Sequence, residues 1–169
     1  MIRVTALAAI LAGVAVLAGT FPGAAPTVGV NVAPIRYDEL GERIAGQRGS
    51  VVVVDFWADY CLPCKKEFPR LVELNRKYSR RGLVAVAVSL DDPSDADARD
   101  RVQKFLTAQQ AAFRNFLLDE KPQVWQARLK IDGPPCVFLF NRRGDLVKKY
   151  HDHVDYDEID RLVAECLNQ

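Results

Sequence analysis

The chain contains an apolar run, Val51–Trp57 (VVVVDFW), a few residues before the segment Cys61-Leu62-Pro63-Cys64. Four consecutive valines predict a strand that is buried on both faces, as in a parallel sheet or at the centre of a mixed one. Residues 64–78 have helical periodicity and predict a helix. The two cysteines are therefore predicted to lie where a buried strand leads into the start of a helix.

The rest of the chain alternates between strand and helix patterns, which predicts an α/β fold. A turn at residues 142–145 joins two strand patterns in a hairpin, so the predicted sheet is mixed. With no internal repeat, residues 37–169 are predicted to form one domain. The predicted helices cover residues 37–45, 64–78, 97–109, 122–129 and 155–167, and the predicted strands cover residues 51–57, 83–90, 113–118, 136–141 and 146–150.

The N-terminal segment is predicted to lie outside this domain. Residues 4–21 carry no charge and follow Arg3, a pattern typical of an export signal. The uncharged stretch is also close to the shortest length that spans a membrane, so an uncleaved anchor is the alternative. We expect residues 1–25 to be a signal peptide or signal anchor and residues 26–36 to be a linker. The domain is then extracytoplasmic (periplasmic), either released or anchored to the inner membrane.

Charge and composition exclude several classes of protein. The 23 basic and 22 acidic side chains give a net charge of +1, which lacks the basic excess that nucleic-acid binding needs. A hydrophobic fraction of 49% argues against a disordered chain. Four cysteines are too few for a disulfide scaffold in a chain of 169 residues. We expect a monomer that binds no nucleic acid.

The position of Cys61 and Cys64 favours redox chemistry. The free N–H groups and positive dipole end of a helix N-terminus stabilise a thiolate. We expect Cys61 to be the exposed nucleophile and Cys64 the buried resolving thiol in thiol–disulfide exchange, a reaction that needs no cofactor. Half of a zinc site and a purely structural disulfide are the alternatives, although the other cysteines and histidines are scattered singly.

Residues 51–69, VVVVDFWADYCLPCKKEFP, resemble the active-site segment of the thioredoxin superfamily. The part CKKEFP, residues 64–69, is similar to the exported thiol–disulfide oxidoreductases of the TlpA/ResA type. The resemblance continues through GPPCVFLF, residues 133–140, and covers about residues 37–167. It implies a thioredoxin fold, a central mixed β-sheet with helices on both faces.

The resemblance also implies roles for three residues near the cysteines. Pro135 matches a proline that is cis in this fold, although a simple Pro-Pro turn is the alternative. Asp55 is expensive to bury within a strand and resembles the buried acid that accepts the proton of the second cysteine; a solvated carboxylate at a sheet edge is the alternative. Glu67 matches the glutamate that tunes the pair, and could equally be a solvated helix charge.

Four residues are expected to contact the substrate: Tyr60, Leu62, Pro63 and Pro134. Tyr60 stands where the family usually has tryptophan, which changes the surface beside Cys61. Pro134 has no N–H group, so it lacks the backbone donor that the family offers to a partner peptide.

The remaining polar and sulfur-containing residues carry less specific signals. Cys136 follows Pro135 and is expected near the pair. It could form an alternative disulfide, act as a third metal ligand, or simply be a small residue at a strand start. Cys166 is expected to be a buried inert thiol. His151 and His153 could bind a metal or simply be exposed. The five aspartates of residues 91–100 lack calcium-loop spacing and are interpreted as a solvated helix start.

These observations predict an extracytoplasmic protein-disulfide reductase. The resemblance implies disulfide substrates in proteins, for example apocytochromes during cytochrome c maturation, and electrons from a membrane thiol transporter. The alternatives are a disulfide-donating oxidant and a Cu(I) chaperone that uses Cys61 and Cys64 as soft ligands. A peroxide-reducing enzyme is less favoured, because peroxidases of this fold place a single reactive cysteine in a different motif.

Overall fold

A computed structural model describes residues 29–169. The strands are β1 (Val32–Ile35), β2 (Val51–Trp57), β3 (Leu83–Ser89), β4 (Arg114–Leu118), β5 (Cys136–Phe140) and β6 (Leu146–His151). The helices are α1 (Tyr37–Ala45), α2 (Leu62–Tyr78), α3 (Ala98–Ala108), α4 (Pro122–Leu129) and α5 (Tyr156–Leu167), with a short 3₁₀ turn at Ser79–Arg81. The predicted α/β architecture is confirmed.

The six strands form one mixed sheet in the order β1-β4-β3-β2-β5-β6. Strands β1, β4, β3 and β2 run parallel to one another, whereas β5 and β6 are antiparallel to their neighbours. β2 is therefore an interior strand with a partner on each side, and all seven of its residues are buried. This explains its continuous apolar sequence, because both of its faces meet helices.

Alternation along β2 divides the core into two layers. Val51, Val53 and Trp57 face the layer that also holds the apolar side chains of α2, α3 and α5. Val52, Val54 and Phe56 face the opposite layer, which contains buried side chains of α1 and α4. The expected helices on both faces of the sheet are confirmed. Asp55 stands between Val53 and Trp57 in the chain, so its side chain points to the face of α2 and α5.

The segment 26–36, expected to be a linker, departs from that prediction over its second half. Residues Val32–Ile35 form β1, which pairs in parallel with β4 at the edge of the sheet. Val32 and Ile35 are buried, while Pro34 is exposed, in keeping with the tolerance of edge strands for proline. The side-chain amide of Gln103 accepts a hydrogen bond from the Val32 N–H and donates one to the carbonyl of Val30. The described part of the domain therefore begins before residue 37.

The expected signal peptide or anchor, residues 1–25, lies outside the described residues. Across residues 29–169, none of the helices has both the length and the apolar character needed to span a membrane.

Candidate active site

Cys61 and Cys64 form a disulfide bond at the N-terminus of α2, with their Cα atoms 5.3 Å apart. Cys61 is the N-cap of the helix, and its Sγ accepts a hydrogen bond from the Cys64 N–H at 3.2 Å. The sulfur thus occupies the place that a capping oxygen usually takes, at the positive end of the helix dipole. After reduction, this position stabilises a thiolate on Cys61.

The prediction that Cys61 is exposed is wrong for this oxidised state. Cys61 is 6% exposed and Cys64 is 4% exposed, because the disulfide packs into the same buried layer as Trp57 and Ala58. The exposed groups are its chain neighbours: Tyr60 is 66% exposed and Leu62 is 78% exposed. Two large apolar side chains therefore flank the disulfide at the surface.

Asp55 is buried at the centre of the sheet and is not a solvated residue at its edge. Its lateral neighbours are Ala87 on β3 and Val137 on β5, whose side chains offer no hydrogen bond. The hydroxyl of Tyr156 donates a hydrogen bond of 2.9 Å to Asp55 Oδ2. Burial raises the pKa of Asp55 to about 7, although the hydrogen bond from Tyr156 opposes this effect.

A cavity of about 210 Å³ brings several of the predicted site residues together. Cys64, Asp55 and Glu67 all line it, so the buried acid, the second cysteine and the helix glutamate share one space. Pro135 also lines the cavity, and the Pro134–Pro135 peptide bond is cis, as predicted. The other residues that line the cavity are Pro63, Lys66, Val137, Asp152, His153, Val154 and Tyr156.

The four residues predicted to contact substrate lie at the surface around this centre. Tyr60, Leu62 and Pro63 are exposed, and Pro134 is half-buried. Burial of its ring and the negative charge of Asp91 raise the pKa of Tyr60, so its hydroxyl stays protonated near neutral pH. The substrate-binding role of these residues stays a prediction.

Cys136 does not face the cysteine pair. It is opposite Phe56 in the sheet, and both side chains belong to the layer formed with α1 and α4. Its thiol is fully buried, and burial raises its pKa to about 12. Cys136 is therefore not a third ligand for a metal held by Cys61 and Cys64.

Cys166 is a buried free thiol on α5, and burial raises its pKa. His151 Nε2 lies 3.2 Å from Asp132 Oδ1, whereas the exposed His153 lines the cavity beside Asp55. Within residues 29–169, the structure contains no group of three or more histidine, cysteine or acidic side chains arranged to hold a metal ion.

A second buried acid lies next to the site, and its sequence context does not single it out. The interpretation of residues 91–100 as a solvated helix start is wrong for Asp91, which is only 5% exposed. Its Oδ2 accepts hydrogen bonds from the Ser89 hydroxyl at 2.6 Å and from the Asp59 N–H at 2.9 Å. The hydrogen bond from the Asp59 N–H fixes the loop that contains Tyr60 and Cys61 against the end of β3. The sequence feature that could have indicated the burial of Asp91 is its position directly after the predicted buried strand, residues 83–90.

Tyr156 is the other site residue that sequence reasoning does not identify. It is the first residue of α5 and shares a helix face with Ile159 and Val163, both fully buried. Its i, i+3, i+7 spacing to those residues marks it as core-facing. Its contact with Asp55, 101 residues earlier, has no local sequence signal.

Three features together are typical of the thioredoxin-like class of proteins. They are a mixed β-sheet with helices on both faces, a cysteine pair at the start of α2, and a cis-proline beside that pair. Within this class, the chain belongs to the AhpC/TSA family, whose model matches residues 34–149.

Curated relatives of the chain include several thiol-disulfide oxidoreductases. The chain is 27% identical over 119 residues to the thiol-disulfide oxidoreductase ResA of Geobacillus kaustophilus (strain HTA426), covering 70% of this chain and 64% of the relative. It is 32% identical over 113 residues to ResA of Bacillus subtilis (strain 168), covering 66% of this chain and 59% of the relative. The chain thus spans less than two thirds of the length of these relatives.

Solved structures agree with this placement. A structure from Chlorobium tepidum, described as a thiol:disulfide interchange protein DsbE, is similar with a TM-score of 0.59 and 30% sequence identity. The match covers 73% of this chain and 84% of that one. A thioredoxin-like superfamily protein, SPOA0173, has a TM-score of 0.63 at 17% identity, which supports the fold alone.

Proposed function

We propose that this protein is a thiol–disulfide oxidoreductase that reduces disulfide bonds in other proteins outside the cytoplasm. The observation that carries the proposal is the Cys61–Cys64 disulfide at the N-terminus of α2, beside a cavity that Cys64 shares with the buried carboxyl group of Asp55. A helix N-terminus activates the first thiol, and a buried acid with a pKa of about 7 suits proton transfer from the second.

The reaction follows from this arrangement in two steps. The Cys61 thiolate attacks one sulfur of a substrate disulfide, which forms a mixed disulfide and releases the other substrate sulfur as a thiolate that takes up a proton. Cys64 then gives its proton to the Asp55 carboxylate and attacks the Cys61 sulfur. The Cys61–Cys64 bond forms, the bond to the substrate breaks, and the second substrate sulfur leaves as a thiolate. The substrate gains two electrons and the enzyme dithiol loses two.

The direction and the compartment are part of the proposal. Pro63 between the cysteines is the residue found there in thioredoxin, which supports the reducing direction. The uncharged N-terminal segment supports export, and the relatives named thiol-disulfide oxidoreductase ResA and thiol:disulfide interchange protein DsbE support the thiol–disulfide chemistry. We further propose that apocytochromes are the substrates, in cytochrome c maturation, and that a membrane thiol transporter returns electrons to the Cys61–Cys64 pair.

Two other functions use the same cysteines. A disulfide-donating oxidant runs the same steps in reverse and differs only in reduction potential. A Cu(I) chaperone receives less support, because the expected third ligand, Cys136, faces the opposite layer of the core.

Trapping the mixed disulfide tests the proposal. The Cys64→Ser variant retains the nucleophile but cannot resolve the intermediate. Incubated with a disulfide-bonded peptide that contains a Cys-x-x-Cys-His segment, it is expected to form a covalent adduct through Cys61, detected by mass spectrometry. Cys61→Ser is the matched control and is expected to form none. Equal adduct formation by the two variants, or none by Cys64→Ser, would contradict the proposed roles of the cysteines.

A further inference from the structure

The environment of Asp55 contains one hydrogen-bond donor from a distant part of the fold. The Tyr156 hydroxyl, on α5, donates to Oδ2 of Asp55, on β2, over 2.9 Å. Among the described residues, Tyr156 is the single side chain that donates to this carboxyl group, and the sheet neighbours Ala87 and Val137 are apolar. Both partners are buried, at 5% exposure each.

The position of Tyr156 is fixed by the start of its helix. Asp155 caps α5, and its carboxylate accepts hydrogen bonds from the N–H groups of Asp157 and Glu158, both at 3.0 Å. Ile159 and Val163, on the same helix face, are fully buried in the core layer that also holds Tyr156. The phenol therefore reaches Asp55 from a helix turn that is anchored at both its cap and its apolar face.

We propose that Tyr156 is a positioning residue of the thiol chemistry, whose hydroxyl holds Oδ2 of Asp55 and leaves Oδ1 to accept the proton of Cys64. This inference rests on the proposed function, because it assigns a role within that reaction. Oδ1 of Asp55 accepts no hydrogen bond from the described residues, and Asp55 and Cys64 line the same cavity. Tyr156 itself only donates.

The electrostatics of the pair agree with this role. Burial and the neighbouring charge of Asp55 raise the pKa of Tyr156, so the phenol keeps its proton and remains a donor. The hydrogen bond favours the ionised carboxyl group and lowers the pKa of Asp55, against the larger effect of burial. Without the phenol, the carboxyl group binds its proton more tightly and is less often ionised, and so less often an acceptor, at neutral pH.

Other titratable or charged groups face the same cavity as Asp55. Helix α2 contributes Cys64, Lys66 and Glu67, the segment before α5 contributes Asp152 and His153, and Arg70 acts on Tyr156 through its charge. Within the described part of the chain, none of these groups hydrogen-bonds to Asp55, so replacing the Tyr156 hydroxyl changes one direct contact of the carboxyl group.

The test is a stopped-flow reaction of the reduced protein with 5,5′-dithiobis(2-nitrobenzoate) across a pH series. The first equivalent of coloured thiol reports formation of the mixed disulfide on Cys61, and the second reports its resolution by Cys64. In Tyr156→Phe, the midpoint of the pH profile of the resolution rate is expected to move to higher pH. The rate at neutral pH falls by about tenfold for each unit of that shift. Tyr150→Phe is the matched control, because it removes a phenol hydroxyl that contacts Glu158 and not Asp55. Its profile is expected to match the wild type.

A second comparison separates positioning from a merely structural effect. In an Asp55→Asn background, the Tyr156→Phe substitution is expected to cause no further change in the profile. A Tyr156→Phe profile that superposes on the wild type would overturn the inference, as would an equal shift in the Asp55→Asn background.

Thionitrobenzoate release and the titration of Asp55 separate the role of Tyr156 from the redox reaction itself. If the wild-type protein releases no thionitrobenzoate at all, the proposed function is wrong. The Asp55 carboxyl titration, followed by carbon-13 NMR in the oxidised protein, reads the hydrogen bond without any activity. Tyr156→Phe is expected to raise its midpoint, and 3-fluorotyrosine at position 156, a more acidic and stronger donor, to lower it. Unchanged midpoints in both proteins would overturn the inference.

Discussion

Asp55 interrupts an apolar interior strand, and the sheet residues beside it contribute no charge. At the scale of single residues this burial has two consequences. It raises the pKa of the carboxyl group to about 7, where the group can exchange a proton with Cys64 at neutral pH. It also makes the ionised form unfavourable in the folded protein, so the same residue that serves the chemistry reduces stability above neutral pH.

We predict that Asp55→Asn increases stability at alkaline pH. The pKa of Asp55 is about 7 in the folded protein, against 3.8 for the carboxyl group in an unfolded chain. The folded state therefore binds the proton more tightly, and the stability this provides is complete below pH 3.8 and is lost as the pH rises towards 7. At pH 8 the variant is expected to have a larger free energy of unfolding, by an amount on the order of 4 kcal/mol.

Urea unfolding at a series of pH values measures this difference. Glu67→Gln is the control on α2, since Glu67 is only half-buried and its replacement removes no buried charge. A difference between Asp55→Asn and wild type that stays constant from pH 4 to pH 8 would contradict the assignment of a raised pKa to Asp55.

The thiol of Cys136 is predicted to be unreactive in the folded, reduced protein. It is fully buried on the opposite layer of the core, and its pKa of about 12 leaves almost no thiolate near neutral pH. Iodoacetamide at pH 8 is expected to modify Cys61 first and Cys136 only after unfolding, as mapped by peptide mass spectrometry. Labelling of Cys136 at the rate of Cys61 would show that its thiol is accessible.

At the scale of elements, the start of α2 depends on the loop that precedes it. Asp91, after β3, holds the Asp59 N–H, and Asp59 in turn forms ion pairs with Lys65 on α2 and Arg101 on α3. The cysteine pair is thus placed by three elements, although its sequence motif belongs to one. The loop is connected to β3 through Asp91, whose Oδ2 atom accepts hydrogen bonds from both the Asp59 N–H and the Ser89 hydroxyl.

Asp91→Ala is predicted to destabilise the protein by about 2–3 kcal/mol, because it removes two hydrogen bonds to a buried carboxylate and leaves the Asp59 N–H without its partner. Asp92→Ala is the matched control. Asp92 is exposed and its side chain bonds only to Ser94 among the described residues, so its replacement is expected to change the free energy of unfolding by less than about 1 kcal/mol. Chemical denaturation of the two variants measures the difference, and equal effects would contradict the burial of Asp91.

Elements with strong local signals could be predicted from the sequence. Helix α1 ends before Gly46, α4 begins at Pro122, and β2 is a continuous apolar run, and all three have the predicted bounds. Strand β1 could not be predicted from the sequence. It has only four residues, one of which is Pro34, and they show no alternation of apolar and polar side chains; its partner, β4, lies about 80 residues further along the chain. The same limit explains the site: Cys61, Cys64, Asp55 and Pro135 have motif signals, whereas the Tyr156–Asp55 contact depends on tertiary packing.

At the scale of the whole molecule, β1 completes one edge of the sheet. Ile35 is 2% exposed and packs in the layer of α1 and α4, and its partner in the sheet is Leu118. The domain is therefore expected to lose stability when β1 is weakened, although this strand lies far from the cysteines in the sheet order.

Ile35→Ala is predicted to lower the free energy of unfolding by about 3 kcal/mol, through lost burial and the cavity it leaves. Pro34→Ala, at the adjacent exposed position of the same strand, is expected to change it little. Guanidinium unfolding compares the two variants. An effect of Ile35→Ala no larger than that of Pro34→Ala would restore the interpretation of residues 26–36 as a linker.

The reduction potential of the Cys61–Cys64 pair tests the proposed reductase most directly. It is measured in dithiothreitol and glutathione buffers with Cys136→Ala and Cys166→Ala, so that the two buried free thiols make no contribution. A reversible couple at or below roughly −250 mV, on the thioredoxin side of the scale, is the predicted result. A value near about −120 mV would instead make the protein a disulfide donor, and the absence of a reversible couple would contradict the redox function itself.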